Sequence, residues 1–196
     1  TGTPLAVGAT IPATQTIYIF AANPSNTNCT AQTSFVVTIN SITAQQIADV
    51  TVCDSHVLPI LNVNNAYYTG SNGTGSQLNA GTSIITTQTI YVYAQTGGTP
   101  NCTSESSFTV TITATPVLAD FANVSACSSY ILPTLTIGNY FTGINGTDTQ
   151  LASGMAINSD QTVYVYASNG ICSAQKQFVV TINDNPSFTI DGACQG

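Results

Sequence analysis

The chain has very little charge. Of its 196 residues 5% are charged, against about 25% in an average soluble domain. Lys176 is the one basic residue and faces eight acidic ones. A net charge of −7 cannot neutralise phosphates, so nucleic acid and anionic membrane surfaces are poor partners and neither is expected. Thr, Ser, Asn and Gln must carry solubility instead. No apolar run approaches the ~20 residues that cross a bilayer, and no basic segment leads into an apolar one at the start. No membrane insertion is therefore expected in this stretch. One histidine and six cysteines without a Cys-x-x-Cys pair leave zinc and redox chemistry without ligand geometry, and no cofactor is expected. Disulfides formed in an oxidising, extracellular compartment are expected instead.

What the chain does have is 43% hydrophobic residues, with Val, Ile, Thr and Tyr prominent, which favours strands over helices. It also repeats itself. "TQTIYVYAQTG" from Thr87 returns as "TQTIYIFAANP" from Thr14 and "DQTVYVYASNG" from Asp160. Gln15, Gln88 and Gln161 are 73 residues apart, as are Gly8, Gly81 and Gly154, and Leu5, Leu78 and Leu151. "CDSHVLPIL" at Cys53 matches "CSSYILPTL" at Cys127, and the closing segments "SFVVTIN", "SFTVTIT" and "QFVVTIN" match one another. A fixed period of this length is the mark of a tandem array.

The expected organisation is residues 1–41 as the C-terminal part of a truncated repeat, 42–114 and 115–183 as complete repeats, and 184–196 as the start of a divergent module. Within a repeat, "HVLPIL" reads as a short strand with Pro59 at an edge or bulge. "AYYTG" then leads into an Asn-Gly turn, Gly81 marks a bend, and "TIYVYAQ" and "SFTVTIT" close the unit. Five or six short strands with a turn about every ten residues predict an all-β fold of tandem small antiparallel immunoglobulin-like sandwiches. Period-two alternation puts Ile90, Val92 and Ala94 on the core face with Phe108, Val110 and Ile112. Tyr91 and Tyr93 then stand outside, beside threonines.

If strands alternate direction after Cys53, the fourth returns to the same pole, where Cys102 lies. Strand parity therefore favours Cys53 with Cys102 and Cys127 with Cys172, leaving Cys29 and Cys194 to partners elsewhere. Pairing between adjacent units is the alternative: Cys29 with Cys53, Cys102 with Cys127, and Cys172 with Cys194.

Little in the chain suggests catalysis. His56 is replaced by Tyr130 in the next repeat, so the repeat does not depend on an imidazole, and the chain is read as a non-enzyme. No Asp-x-Asp-x-Asp loop gathers the acids for calcium, although Asp49, Asp120, Asp184 and Asp191 fall near unit junctions. Tyr18, Tyr91, Tyr93, Tyr164 and Tyr166 are the candidate surface-binding aromatics, able to stack on sugars or partner proteins. Cross-strand packing on β-branched neighbours is the plainer role for them.

Taken together, "C-x-S-[HY]-x-L-P-x-L", "T-G-x-N-G-T", "L-x-x-G", "Q-T-[IV]-Y-V-Y-A" and "F-x-V-T-I" resemble repeats of giant surface adhesins of gliding Bacteroidota, exported by type IX secretion. The second half is also similar to the hyalin-type repeat, an immunoglobulin-like adhesion module. The resemblance implies a non-catalytic, structural and adhesive segment of a long cell-surface filament, of the kind that carries gliding motility. Neighbouring modules of the same chain would be its partners. Two other functions fit the residues: a carbohydrate-binding array of a secreted enzyme that takes surface polysaccharide, and a fibre whose copies complete one another's sheets by strand addition.

Overall fold

The computed structural model describes residues 2–187. Over these residues the chain is all-β, as the sequence predicts, with sixteen strands and a single 3₁₀ turn at Ile144–Gly146. It folds as two compact units. One holds Thr1–Asp49, Val57–Thr82 and Gln88–Thr109; the other holds Val50–His56, Ser83–Thr87 and Val110–Gly196.

The 73-residue period is written directly into strand order. The second repeat runs β3 (Val50–Cys53), β4 (His56–Val57), β5 (Asn65–Gly70), β6 (Thr74–Leu78), β7 (Ser83–Ile84), β8 (Gln88–Gln95) and β9 (Thr103–Thr113). The third runs β10 (Val124–Cys127), β11 (Tyr130–Ile131), β12 (Asn139–Phe141), β13 (Gln150–Leu151), β14 (Ala156–Ile157), β15 (Gln161–Ser168) and β16 (Ser173–Asn183). Each forms a five-stranded sheet, β3-β9-β8-β5-β6 and β10-β16-β15-β12-β13, with a two-stranded partner, β4-β7 and β11-β14. The first repeat contributes the hairpin of β1 (Gln15–Asn23) and β2 (Asn26–Val37), equivalent to β8 and β9.

Two sequence expectations need correction. Each complete repeat has seven strands rather than five or six, because an opening strand ends in the cysteine and the segment around Gly81 divides into β6 and β7. "HVLPIL" contributes only the two residues of β4. The opening strand also breaks strict antiparallel order: β3 runs parallel to β9, with Val50 opposite Val110 and Cys53 opposite Thr113. β10 does the same on β16, from Val124 opposite Val180 to Cys127 opposite Asn183.

The alternation of β8 holds. Ile90, Val92 and Ala94 are fully buried while Tyr91 and Tyr93 are half-covered. In the third repeat Val163, Val165, Phe178 and Val180 join Leu132, Tyr140 and Ile157 in one apolar core. Phe178 is its aromatic centre, stacked on Phe121 and met edge-on by Tyr130 and Tyr140. Burying side chains of this size stabilises by about 1.5–3 kcal/mol each, which is how a chain so poor in ion pairs keeps its fold.

The turns follow their residues. Asn72 and Gly73 both have positive φ, 56° and 68°, and Thr74 N–H donates to Ser71 O at 3.2 Å. This is the mirror-image turn that Asn-Gly favours, since most side chains resist the left-handed region. Asn145 and Gly146 repeat it at 55° and 71°.

Candidate functional site

The opening cysteine of a repeat sits at the far end of the closing strand, because β3 and β10 run parallel to it. The hairpin cysteine precedes that strand's first residue. In the third repeat Cys127 lies opposite Asn183 and Cys172 lies just before Ser173. Eleven strand residues at ~3.3 Å each separate them by roughly 35 Å, whereas a disulfide bridges Cα atoms about 7 Å apart at most. Cys127 with Cys172 is therefore impossible, and Cys53 and Cys102 occupy the same two places on β9. Parity failed on the strand count: the segment around Gly81 divides into β6 and β7, so five strands rather than four lie between Cys53 and Cys102, and the chain ends at the opposite pole.

The bond that forms joins Cys53 to Cys172, with 5.7 Å between Cα atoms and 119 residues between them in sequence. The alternative pairing of Cys29 with Cys53 is overturned by the same bond. Linkage does run between adjacent repeats, but from the opening cysteine of one to the hairpin cysteine of the next. Among the described residues Cys102 and Cys127 are free, as is exposed Cys29. Cys194 lies outside the described residues.

Local chemistry positions this seam. Cys172 is buried, its sulfur 3.4 Å from the Thr113 carbonyl. Asn169, in the same hairpin, donates its side-chain amide to Ala114 O at 2.8 Å and accepts from Cys172 N–H at 3.2 Å. Asp54 follows Cys53 with φ of 63°, a backbone state that Asp tolerates better than most residues. Its carboxylate accepts from Thr115 N–H at 2.8 Å and from Thr115 Oγ1 at 2.7 Å. Those hydrogen bonds hold the Asp54 carboxyl below its usual range. Residues 113–115 leading into the third repeat thus lie beside the disulfide and are held by two side-chain clamps. Sequence reading missed Asp54 and Asn169, and the only signal for either was its closeness to a cysteine.

Three other acids serve as local braces. Asp49 accepts from Thr109 N–H at 2.7 Å and Asp160 from Ile182 N–H at 2.6 Å. Asp120 pairs with Lys176, which depresses its carboxyl through the hydrogen bond first and charge second. Among the described residues no three His, Cys, Asp or Glu side chains converge as metal ligands, and Asp191 lies outside them. His56 is half-buried in β4.

The tyrosine row is partly occupied by its own fold. Tyr93 meets Tyr68 edge-on at 6.1 Å and lies over Gly73, where an added Cβ would come within 3.2 Å of its ring. Tyr166 meets Phe141 at 6.3 Å and covers Gly146. Across β15 and β16, Tyr164 and Tyr166 stand opposite Gln177 and Gln175. Tyr91 lies opposite Tyr68, and Tyr18 on β1 is 64% exposed. An open groove of about 480 Å³ runs beside Tyr166, bordered by Phe141, Ile137 and Pro116. No helix among the described residues is long and apolar enough to cross a membrane.

No protein-family profile and no curated protein matches the chain. Among solved structures it is similar to protocadherin gamma B2 extracellular cadherin domains 1–5, at 12% identity and a TM-score of 0.29 over 88% of this chain and 46% of that one. The chain thus spans less than half of that protocadherin structure. It is also similar to titin domains z1z2 in complex with telethonin, at 8% identity and a TM-score of 0.23, over 71% of this chain and 94% of that one. Likenesses this faint say nothing about function. The repeat, the seam and the strand order must speak for themselves.

Proposed function

We propose that this chain is a run of non-catalytic structural repeats from a long extracellular adhesin, displayed at the cell surface and joined repeat to repeat. The observation that carries this reading is the Cys53–Cys172 bond, which ties the opening strand of one repeat to the hairpin of the next. Such a bond persists in an oxidising compartment. It also gives a quasi-one-dimensional array a covalent link where nearest-neighbour packing alone would otherwise hold it. The residue pattern further supports a type IX-secreted adhesin of gliding Bacteroidota, with neighbouring repeats as the first partners.

An antibody raised against residues 42–183 tests the reading. It should label intact cells of the source organism and block their attachment to surfaces. Labelling only after lysis would sink the proposal. A type IX sorting region encoded downstream would support the secretion route, and a cytoplasmic enzyme domain there would remove it.

A second reading, polysaccharide binding, is favoured by the groove beside Tyr166 and Phe141, since aromatic rings stack on sugar faces. Tyr166→Ala should then abolish binding to surface polysaccharide while the melting temperature falls only slightly. Unchanged binding would leave Tyr166 with its packing role alone.

A further inference from the structure

Cys102 stands where Cys172 stands, one repeat earlier. The Cys102 thiol donates to Asn40 O at 3.3 Å, and the Cys172 sulfur lies 3.4 Å from Thr113 O. Asn40 and Thr113 are themselves 73 residues apart. A further contact marks the same junction: the Asn40 side-chain amide donates to Pro100 O at 3.3 Å. Cys172 is disulfide-bonded in this position, so its repeat equivalent has a bonded precedent in the same molecule.

Among the described residues no strand lies on the edge from which the other sulfur would come. β9 carries β3 in parallel, which sets Cys53 beside Thr113. β2, the equivalent of β9, pairs only with β1 among the described residues. Its apolar face is correspondingly uncovered. Ile19 and Phe35 are 54% and 51% exposed, while their equivalents Val92 and Phe108 are 0% and 2% exposed. A strand in the register of β3 would end its cysteine beside Asn40, within reach of Cys102.

We infer that the free edge of β2 and the Cys102 thiol form a docking site for the opening strand of the repeat that β1 and β2 close, a valine-rich strand ending in cysteine. Docking seals the strand with a disulfide identical in kind to Cys53–Cys172. Cys127, opposite Asn183 as Cys53 is opposite Thr113, is the other half of the same rule. It offers its sulfur to the hairpin cysteine of a following repeat. The result is a ladder with one disulfide per junction. In the bond-forming step two thiols give up two protons and two electrons to a disulfide-type oxidant, which is reduced to its dithiol. This inference rests on reading the chain as a tandem array, but it is tested by strand capture, not by surface display.

The test uses the 196-residue protein and a synthetic peptide of residues 47–55, IADVTVCDS, activated as its mixed disulfide with 2-nitro-5-thiobenzoate. The Cys102 thiolate attacks the peptide sulfur, and the aromatic thiolate leaves and is read by its colour. Mass mapping should place the peptide on Cys102 at least about tenfold faster than on exposed Cys29, because docking orients the reacting sulfurs. A scrambled peptide should lose that preference, and Cys102→Ser should abolish capture at the site. Equal labelling of Cys29 and Cys102, equal reaction of the scrambled peptide, or no reaction at Cys102 would overturn the inference. So would a native protein in which Cys102 joins two copies of the chain.

Discussion

Cys53 and Cys172 lie 119 residues apart in sequence and 5.7 Å apart at their Cα atoms, each from a different repeat. The bond constrains the unfolded chain over a loop of that length, which the chain-entropy model values at about 3–5 kcal/mol. Reduction, or Cys53→Ser with Cys172→Ser, should lower the stability of residues 42–183 by about 2–4 kcal/mol in denaturant titration. The internal sheets should persist, since their cores do not include the bond. Unchanged unfolding on reduction would mean that the seam carries no stability.

Tyr67 and Tyr140 occupy equivalent positions in the two complete repeats, yet only one has a hydroxyl partner. Tyr67 donates to Pro59 O at 3.1 Å, whereas the buried Tyr140 hydroxyl has no partner among the described residues. Tyr67→Phe should cost about 0.5–1.5 kcal/mol, and Tyr140→Phe should be neutral or stabilising. Paired thermal melts of the two variants check this contrast.

Burial also raises both phenols above their ordinary value of 10.0, with the neighbouring Tyr130 adding to the shift at Tyr140. A folded-state pKa above the unfolded one gives stability that is complete below pH ~10 and is lost as pH rises through the folded value. Stability should therefore hold from neutral pH to ~9 and fall above ~10. The double Phe variant should show a shallower alkaline fall.

At the acid end the sign reverses. Asp54, held by Thr115, and Asp120, held by Lys176, have carboxyls below the ordinary 3.8. Their contribution is present above the unfolded pKa and is lost as pH falls through the folded values. Both are solvent-exposed, so the effect is small. Carboxyl NMR should show both titrating below an unstructured Asp, and Lys176→Gln should return Asp120 alone to the ordinary range.

Gly146 and Gly154 share positive φ, 71° and 83°, but differ in their surroundings. A Cβ on Gly146 would meet the Tyr166 ring at 2.7 Å, while one on Gly154 meets nothing within 4 Å. Both alanine variants should lose about 1–2 kcal/mol to the left-handed backbone. Gly146→Ala should lose about 1–3 kcal/mol more to overpacking. Equal melting temperatures would show that Tyr166 moves aside freely.

Much of this was legible in the residues. The alternation of Ile90, Val92 and Ala94 against Tyr91 and Tyr93 set the faces of β8, because one-sided burial leaves a period of two. Asn72-Gly73 announced its turn for steric reasons, and Gly81 its bend, with φ of 86°. The opening strand Val50–Cys53 was missed. It is four residues long and pairs in parallel with a strand some sixty residues later, so no local hairpin signal marks it. The cysteine pairing was lost at Gly81, where two short strands, β6 and β7, stand in place of one and make the strand count between Cys53 and Cys102 odd. The Asp54 and Asn169 clamps were hidden for a related reason: a side chain bonded to a backbone carbonyl or amide 55–61 residues away leaves no periodicity to read.

The covalent seam between repeats is tested most directly by mapping disulfides in the unreduced native protein. Pepsin suits the purpose, because acid keeps thiols protonated and stops exchange, whereas trypsin has only Lys176 to cut. The fragment containing Cys53 should be found linked to the fragment containing Cys172. Linkage of Cys53 to Cys102, or of Cys127 to Cys172, would contradict the account.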